Sequence, residues 1–133
     1  MPKEPMLRTS EVVAELVDAL LVVSINQSYP GRSIYNAARF AWLVSKERAA
    51  QVEYVIATKD RRIVGVFVPE RWLPATEENF PEFRMHLPRR RAFVGREAEK
   101  DVFDRYLGKL LPPDFKFAGT GMRFAGTLLR ESA

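Results

Sequence analysis

Arginines lie close to aromatic residues at several separate places in this sequence, and that combination suits the binding of nucleic acid. A guanidinium can hydrogen-bond a phosphate through two parallel N–H groups, and an aromatic ring can stack on an unpaired base. The arginines and tryptophans concerned are Arg39, Trp42, Arg71, Trp72, Arg89, Arg90, Arg91 and Arg96. If the fold brings them to one surface, we expect a groove that holds an anionic polymer and stacks its bases.

Two side-chain amides, those of Asn26 and Gln27, form a second candidate group within the polar residues 26–32. An amide carries both donors and an acceptor, and can therefore hydrogen-bond a base edge in one orientation. Structural roles remain open beside these functional ones. The amides could cap backbone groups, Trp42 could belong to the core, and residues 89–91 could be a solubilising run of charge.

Residues that could catalyse a reaction or hold a metal are scarce. The sequence has one histidine, His86, and no cysteine, which excludes a thiol nucleophile, a disulfide, an iron–sulfur cluster and a cysteine zinc site. No nucleophile elbow, phosphate-binding loop or dinucleotide motif occurs. Asp101 and Asp104 are three residues apart on a predicted helix, but basic neighbours indicate a solvated face. We predict no catalytic residue, metal or cofactor, and a small hydrolase using Asp101, Asp104 or Glu97 is the remaining enzymatic alternative.

Composition indicates one globular domain. With 133 residues, 47% of them hydrophobic and 29% charged, the chain can bury a core without disulfides. The net charge of +4 is compatible with an anionic partner and equally with an ordinary soluble protein. The polar start of the chain and the shortness of its longest apolar run, residues 19–23, predict neither a signal peptide nor a membrane span. We therefore expect a cytoplasmic location and no membrane partner.

Hydrophobic periodicity predicts the elements that must position these groups. Thr9 or Ser10 should cap a first helix whose stripe includes Val12, Val13 and Val17. The remaining predicted elements are a strand at 20–25, a helix at 33–50 capped by Ser33, a hairpin from 54–57 and 63–68, an irregular loop at 73–90, a strand at 91–95, a helix at 97–107 and a strand at 122–125.

This element order predicts an α+β fold: a small mixed or antiparallel sheet, which could curl into a barrel, flanked by about three helices. Gly65, inside the most apolar predicted strand, indicates a bulge or a close approach of another group. The predicted organisation is a flexible lead-in over residues 1–8, a single domain over 9–128 and a tail over 129–133.

Several motifs, in their order along the chain, resemble a small prokaryotic domain that occurs alone or C-terminal to a GIY-YIG-type nuclease module. The motifs are Ser24-Ile25-Asn26-Gln27-Ser28-Tyr29, residues 34–42 with Tyr35, Arg39 and Trp42, Glu70-Arg71-Trp72, Phe93-Val94-Gly95 and Tyr106-Leu107-Gly108-Lys109. Ala38 replaces the threonine of the pattern, and Thr120-Gly121 replaces its Asn-Pro before Arg123-Phe124. The resemblance implies an accessory, nucleic-acid-recognising role beside a DNA-cutting enzyme, without the nuclease chemistry itself.

A second resemblance is one of pattern: a helix packed on a hairpin with an Ile-Val-Gly-Val strand is similar to PUA-like modules of the ASCH and EVE kind, which bind RNA or modified DNA bases. The leading hypothesis is therefore a module that binds DNA or RNA and reads unpaired or modified bases. The rival is a protein-interaction or assembly module, which could be a homodimer, with the proline-rich loop and exposed aromatic residues as its interface.

Overall fold

The computed structural model describes residues 11–117 and 119–128, and these are organised around one five-stranded sheet. The predicted lead-in at 1–8, the caps Thr9 and Ser10, and the tail at 129–133 lie outside the described residues. The strands are β1 (Ala19–Ser24), β2 (Tyr54–Lys59), β3 (Arg62–Ala75), β4 (Leu87–Glu97) and β5 (Met122–Gly126). The helices are α1 (Ile34–Arg39), α2 (Lys46–Ala49) and α3 (Lys100–Tyr106), with a 3₁₀ turn at Pro81–Phe83.

The sheet has the order β4-β3-β2-β1-β5 and is mixed. Strands β1 and β2 are parallel and joined by a crossover that carries α1 and α2, whereas every other neighbouring pair is antiparallel. The predicted α+β class with a mixed sheet is confirmed. The sheet is open, so the barrel that the sequence also allowed is not formed. None of the helices in the described part of the chain is long and apolar enough to cross a membrane.

Strand β1 is the centre of the core because both of its faces are covered. Leu21 and Val23 pack with the buried residues of α1 and α2, while Leu20 and Val22 pack with those of α3 on the opposite face. All four side chains are completely buried. This alternation of contacts is the period-two pattern of a strand, and it explains why nearly every residue of the segment is apolar.

The predicted first helix is wrong for the described residues 12–18, none of which is helical. Val13 forms an isolated β-bridge with Leu110, and Ala14 N–H donates to the Leu110 carbonyl at 2.8 Å. The side chains of Val12, Val13 and Val17, which were to form the helix stripe, are 52, 45 and 52% exposed. Their β-branched side chains favour extended backbone, and the helical spacing therefore carried no information about burial here.

The single helix predicted at 33–50 is divided into α1 and α2. The Oγ atoms of Ser33 and Ser45 accept hydrogen bonds from Asn36 N–H and Arg48 N–H, so each piece has its own N-cap, and the cap predicted at Ser33 is confirmed. Between them Phe40 is extended, and the main chain of Trp42 bonds to that of Arg91 at the edge of β4, not to the preceding helical turn. A contact between residues distant in sequence thus interrupts a locally favourable helix.

The predicted hairpin is confirmed as β2–β3. Its turn residues Asp60 and Arg61 have φ values of 52° and 70°, the left-handed pair expected of a type I′ turn. The register shifts beside Gly65, where a bulge occurs as predicted, and a Cβ there would lie 2.8 Å from the Ile34 side chain. Strands β3 and β4 extend further than predicted, so the irregular loop is confined to residues 76–86.

Candidate functional site

An open cleft of about 550 Å³ lies where β1 ends, between the loop that follows β1, the α1–α2 linker and the start of β4. Gly121 belongs to its far wall, held against the end of β1 by a 2.8 Å hydrogen bond from Ser24 N–H to the Gly121 carbonyl. The lining residues are Ser24, Asn26, Gln27, Ser28, Arg32, Phe40, Ala41, Trp42, Met85, Leu87, Arg90, Gly119, Thr120 and Gly121. Of the ten predicted ligand residues, the cleft therefore unites Asn26, Gln27, Trp42 and Arg90.

Trp42 is both a core residue and a wall of the cleft. It is 8% exposed and packs in the cluster around β1, and its Nε1–H donates to the Ala38 carbonyl at 2.7 Å. Its main-chain N–H and C=O are both bonded to Arg91, at 2.7 and 2.9 Å. Because the indole nitrogen already has a partner, Trp42 can offer a ligand only the surface of its ring.

Arg90 is the member of the arginine run that faces the cleft. Its Nη1 lies 3.4 Å from the Ala41 carbonyl, which holds the half-buried side chain along the wall. The neighbouring Arg89 and Arg91 are absent from the cleft lining. Successive side chains of a strand point to opposite sides. Arg90 can therefore face the cleft while Arg89 and Arg91, on either side of it, point away.

Asn26 is fixed in orientation by the hairpin turn between β2 and β3. The Asp60 N–H donates to Asn26 Oδ1 at 2.9 Å. The side-chain NH₂ group has no protein partner within residues 11–117 and 119–128, and Asn26 is exposed at the cleft. Gln27, also exposed at the cleft, makes no side-chain hydrogen bond to the described residues, so its amide can rotate to suit a ligand.

Arg32 is a cleft residue that the sequence did not single out. Its guanidinium carbon lies 4.8 Å from the ring centre of Phe83 and 5.8 Å from that of Phe40, and Nη2 lies 3.7 Å from Met85 Sδ. Aromatic contacts hold the group in place without neutralising it. The Pro30-Gly31 turn before it could have indicated this position, because the turn folds the chain back toward the loop that contains Asn26 and Gln27. With Arg32 and Arg90, the described lining carries two cations and no carboxylate.

Arg39 does not contribute to the cleft. It is 8% exposed, forms an ion pair with Glu82, and its Nε donates to Asn36 Oδ1 at 2.9 Å. Its guanidinium carbon also lies 4.8 Å from the ring centre of Tyr35. The sequence predicted this arginine as a ligand contact, but its charge is neutralised within the chain, where it fastens the loop 76–86 to α1.

The other predicted residues lie apart from the cleft. Arg71 and Trp72 line a separate groove of about 310 Å³ beside α2, together with Lys46. The Trp72 ring meets Phe93 edge-on at 5.3 Å between centroids. Arg96 is exposed and pairs with Glu70 at 3.0 Å. The predicted convergence of all the basic and aromatic segments on one surface is therefore only partial.

The carboxylates considered for catalysis are solvent-facing. Glu97, Asp101 and Asp104 are all exposed, and Lys100 pairs with Asp104, which raises the pKa of the lysine through that hydrogen bond. No cluster of three or more His, Asp or Glu side chains suited to a metal occurs in the part of the chain that the structure describes.

A partly buried polar cluster lies on the opposite face of the sheet. Tyr106 O–H donates to Asp18 Oδ2 at 2.6 Å and accepts from the N–H groups of Val17 and Asp18, each at 3.3 Å. Arg105 Nη1 donates to the same carboxylate oxygen at 2.7 Å. Burial raises the pKa of Tyr106, with a further contribution from its bond to Asp18. These groups satisfy one another and fasten α3 to the start of β1.

No family model, curated protein or solved structure matches this chain. The resemblances to the GIY-YIG-associated domain and to PUA-like modules therefore stay predictions.

Proposed function

We propose that this domain is a nucleic-acid-binding accessory module whose cleft receives an unpaired or modified base. The observation that carries the proposal is the composition of the cleft, where an indole ring, two amides and two unneutralised guanidiniums share one water-accessible cavity. Each of these groups matches a part of a nucleotide: the ring matches the base face, the amides match the base edge, and the guanidiniums match the phosphate.

The size of the cleft favours a single nucleotide over a duplex. Pockets for small ligands typically enclose about 300–1,000 Å³, and the value of about 550 Å³ falls in this range. A base that is stacked and paired in a double helix cannot reach the Trp42 ring at the wall of such a cavity. The base must therefore come from a single strand or be turned out of the duplex.

Charge outside the cleft supports the same ligand. Arg71 and Arg89 are exposed and have no ion-pair partner within the described residues. Exposed cations of this kind attract a polyanion over a distance and make its affinity fall with salt. As parts of the same proposal, the module works in the cytoplasm and assists an enzyme that cuts or modifies nucleic acid.

The proposal is tested by fluorescence anisotropy with a labelled single-stranded oligonucleotide and its duplex at low and moderate salt. We expect the single strand to bind more tightly and the affinity to decrease as salt rises. The matched variants are Arg90→Ala and Arg89→Ala, which remove the same charge from adjacent positions of β4. Loss of a charged hydrogen bond should make Arg90→Ala bind about tenfold more weakly, with a smaller loss for Arg89→Ala.

Two results would contradict the proposal. One is the absence of binding to any oligonucleotide at low salt. The other is an equal loss for Arg89→Ala and Arg90→Ala, which would mean that only overall charge matters. Thermal unfolding of both variants serves as the control, because neither side chain belongs to the core and the melting temperature should stay unchanged.

A protein-interaction module is the second candidate, and one observation favours it. The half-buried Trp72 lines the groove of about 310 Å³ beside α2 together with the apolar residues Ala49, Val52 and Pro69. An aromatic side chain in such a groove is a typical anchor for a protein partner. Light scattering tests this reading: a dimer that dissociates in a Trp72→Ala variant would support it, and a monomer at all concentrations would count against it.

A further inference from the structure

We infer that the cleft selects bases by their acceptor groups, preferring thymine, uracil or guanine to adenine, and that Asn26 determines this specificity. The inference rests on the proposed function, since it concerns which base enters the same cleft. It goes further by fixing the direction of one hydrogen bond between the protein and the base edge.

The orientation of the Asn26 amide follows from its partner. The Asp60 N–H is a donor, so the atom that lies 2.9 Å from it must be the acceptor oxygen of the amide. The NH₂ group of Asn26 is then left without a partner among the described residues, and the residue is exposed at the cleft. Asn26 therefore presents donors to a ligand and cannot turn over to present its oxygen without leaving the Asp60 N–H unpaired.

The backbone around this contact is well anchored. Asp60 belongs to the tight turn of the β2–β3 hairpin, with left-handed φ values at Asp60 and Arg61. Ile25 N–H donates to the Thr58 carbonyl at 2.9 Å, which extends the pairing of β1 with β2 up to the residue before Asn26. Main-chain bonds thus hold Asn26 and the turn together, and the side-chain bond between them is preorganised before a ligand arrives.

The other oriented polar groups at the cleft are also donors. The guanidiniums of Arg32 and Arg90 have no acceptor atom at all, and the Trp42 Nε1–H is engaged with Ala38. The remaining polar side chains, such as Ser28 and Gln27, can rotate to donate or accept. The ligand that fits must therefore supply acceptors: phosphate oxygens for the arginines and a ring carbonyl for Asn26.

This arrangement separates the bases by their edges. Thymine and uracil present a carbonyl oxygen where adenine presents an amino group, and guanine presents both O6 and N7 as acceptors. An adenine amino group facing the Asn26 NH₂ would bring two donors together, so adenine can accept from Asn26 only through a ring nitrogen such as N7, beside its own amino donor. The phosphate contacts are the same for every base, so they add affinity without discrimination.

The test uses a ten-nucleotide single strand of abasic sites that carries one thymine or one adenine at its centre, so that the phosphate charge is constant. A fully abasic strand measures the phosphate contribution alone. For the wild-type protein we expect the thymine strand to bind about tenfold more tightly than the adenine strand. The adenine can still stack on Trp42, so its strand should bind at least as tightly as the abasic one. Anisotropy at low salt gives the three dissociation constants.

The informative variant is Asn26→Asp, because a carboxylate can still accept from the Asp60 N–H but has no NH₂ donor. Its melting temperature should be unchanged while the preference for thymine over adenine disappears. Ser33→Asp is the control for the added negative charge, since aspartate also serves as an N-cap and Ser33 is exposed and outside the cleft lining. It should weaken both strands by the same factor and leave their ratio intact.

The outcomes separate this inference from the proposed function. Binding that depends on Arg90 but does not distinguish the thymine, adenine and abasic strands would overturn the inference and leave the proposed function standing. A preference for adenine in the wild-type protein, or a thymine preference that survives in Asn26→Asp, would overturn it as well. No binding of any strand would overturn both. If Asn26→Asp lowers the melting temperature, the wild-type comparison of the strands still decides the question.

Discussion

The cleft at the end of β1 and the polar cluster beside α3 both contain arginine, an aromatic ring and an oxygen acceptor, but they use them differently. Beside α3, the carboxylate of Asp18 takes bonds from Tyr106 and Arg105, and the Tyr106 oxygen accepts two main-chain N–H groups. At the cleft, the NH₂ of Asn26 and the guanidinium of Arg32 have no oxygen acceptor among the described residues. The first cluster is satisfied within the chain, whereas the cleft donors are left to water or to a ligand.

The difference gives a criterion for separating a candidate binding site from a structural polar cluster. Residue types and pKa shifts alone would favour the Asp18–Arg105–Tyr106 group, since it combines a carboxylate with a tyrosine whose pKa is raised by burial. The hydrogen-bond partners of the two groups favour the cleft instead. Donors that are held in place yet lack acceptors point to the cleft, whereas the satisfied cluster explains how α3 is attached.

Replacing Trp42 is expected to have the largest effect, because this residue belongs to the core and to the cleft at once. Trp42→Ala should lower the free energy of unfolding by about 3–5 kcal/mol, as removal of a large buried aromatic side chain usually does. Urea denaturation measures the loss. Trp42→Phe keeps a ring at the cleft and should cost much less, so it separates stacking from stability. A loss below about 1 kcal/mol for Trp42→Ala would show that the ring packs as a surface residue does.

Removing the hydroxyl of Tyr106 should break the satisfied cluster while leaving the cleft intact. Tyr106→Phe leaves the Asp18 carboxylate and two N–H groups with fewer partners, and should cost about 1–3 kcal/mol of unfolding free energy. Oligonucleotide affinity, measured by anisotropy, should not change. A parallel loss of affinity would mean that the two faces of the sheet are coupled.

The same variant has a characteristic pH dependence. Burial raises the pKa of Tyr106 in the folded protein, so the folded state resists ionisation while the unfolded tyrosine ionises near its ordinary value of about 10. The contribution to stability is fully present below that value and is lost as the pH rises above it. Tyr106→Phe should therefore show a shallower alkaline decline in urea midpoints. Tyr54, whose pKa is raised chiefly by burial, keeps part of the decline in both proteins.

The smallest effect is expected for Arg96, which belongs neither to the cleft lining nor to the cluster beside α3. Its ion pair with Glu70 joins side chains that are 56 and 51% exposed, and such pairs contribute no more than about 1 kcal/mol to stability. Arg96→Ala should also leave oligonucleotide affinity within about twofold of wild type, as is usual for surface substitutions outside a binding site. A loss as large as that of Arg90→Ala would move the binding surface toward the β3–β4 ladder.

The strands of the sheet could be predicted where the local sequence pattern matches the burial of the residues in the fold. Residues 54–57 and 63–68 are apolar runs beside a polar turn, and they form the β2–β3 hairpin. The helices were harder to predict from the sequence. The apolar spacing of Val12, Val13 and Val17 is typical of a helix, although these residues are half-exposed. The prediction of one continuous helix at 33–50 failed because the main chain of Trp42 bonds to that of Arg91. Nothing in a local pattern reveals a bond between residues so far apart in the chain.

The sequence predicted the residue types of the candidate site, but it could not predict which of the chosen residues line the cleft. Asn26, Gln27, Trp42 and Arg90 were chosen for their chemistry and lie at one cleft, whereas Arg39, chosen on the same grounds, is neutralised by Glu82. Whether an arginine forms an ion pair depends on where the tertiary structure places the carboxylates. Arg32 was missed because its role arises from two aromatic rings, Phe40 and Phe83, that come from different segments.

The bridge between Trp42 and Arg91 also affects how the molecule meets other copies of itself. Strand β4 is the outermost strand on its side of the sheet, and an exposed strand edge is a template for association with another chain. At Arg91 the outward main-chain N–H and C=O are both occupied by Trp42. The linker that shapes the cleft thereby blocks this edge part-way along its length, which protects the domain from edge-to-edge aggregation.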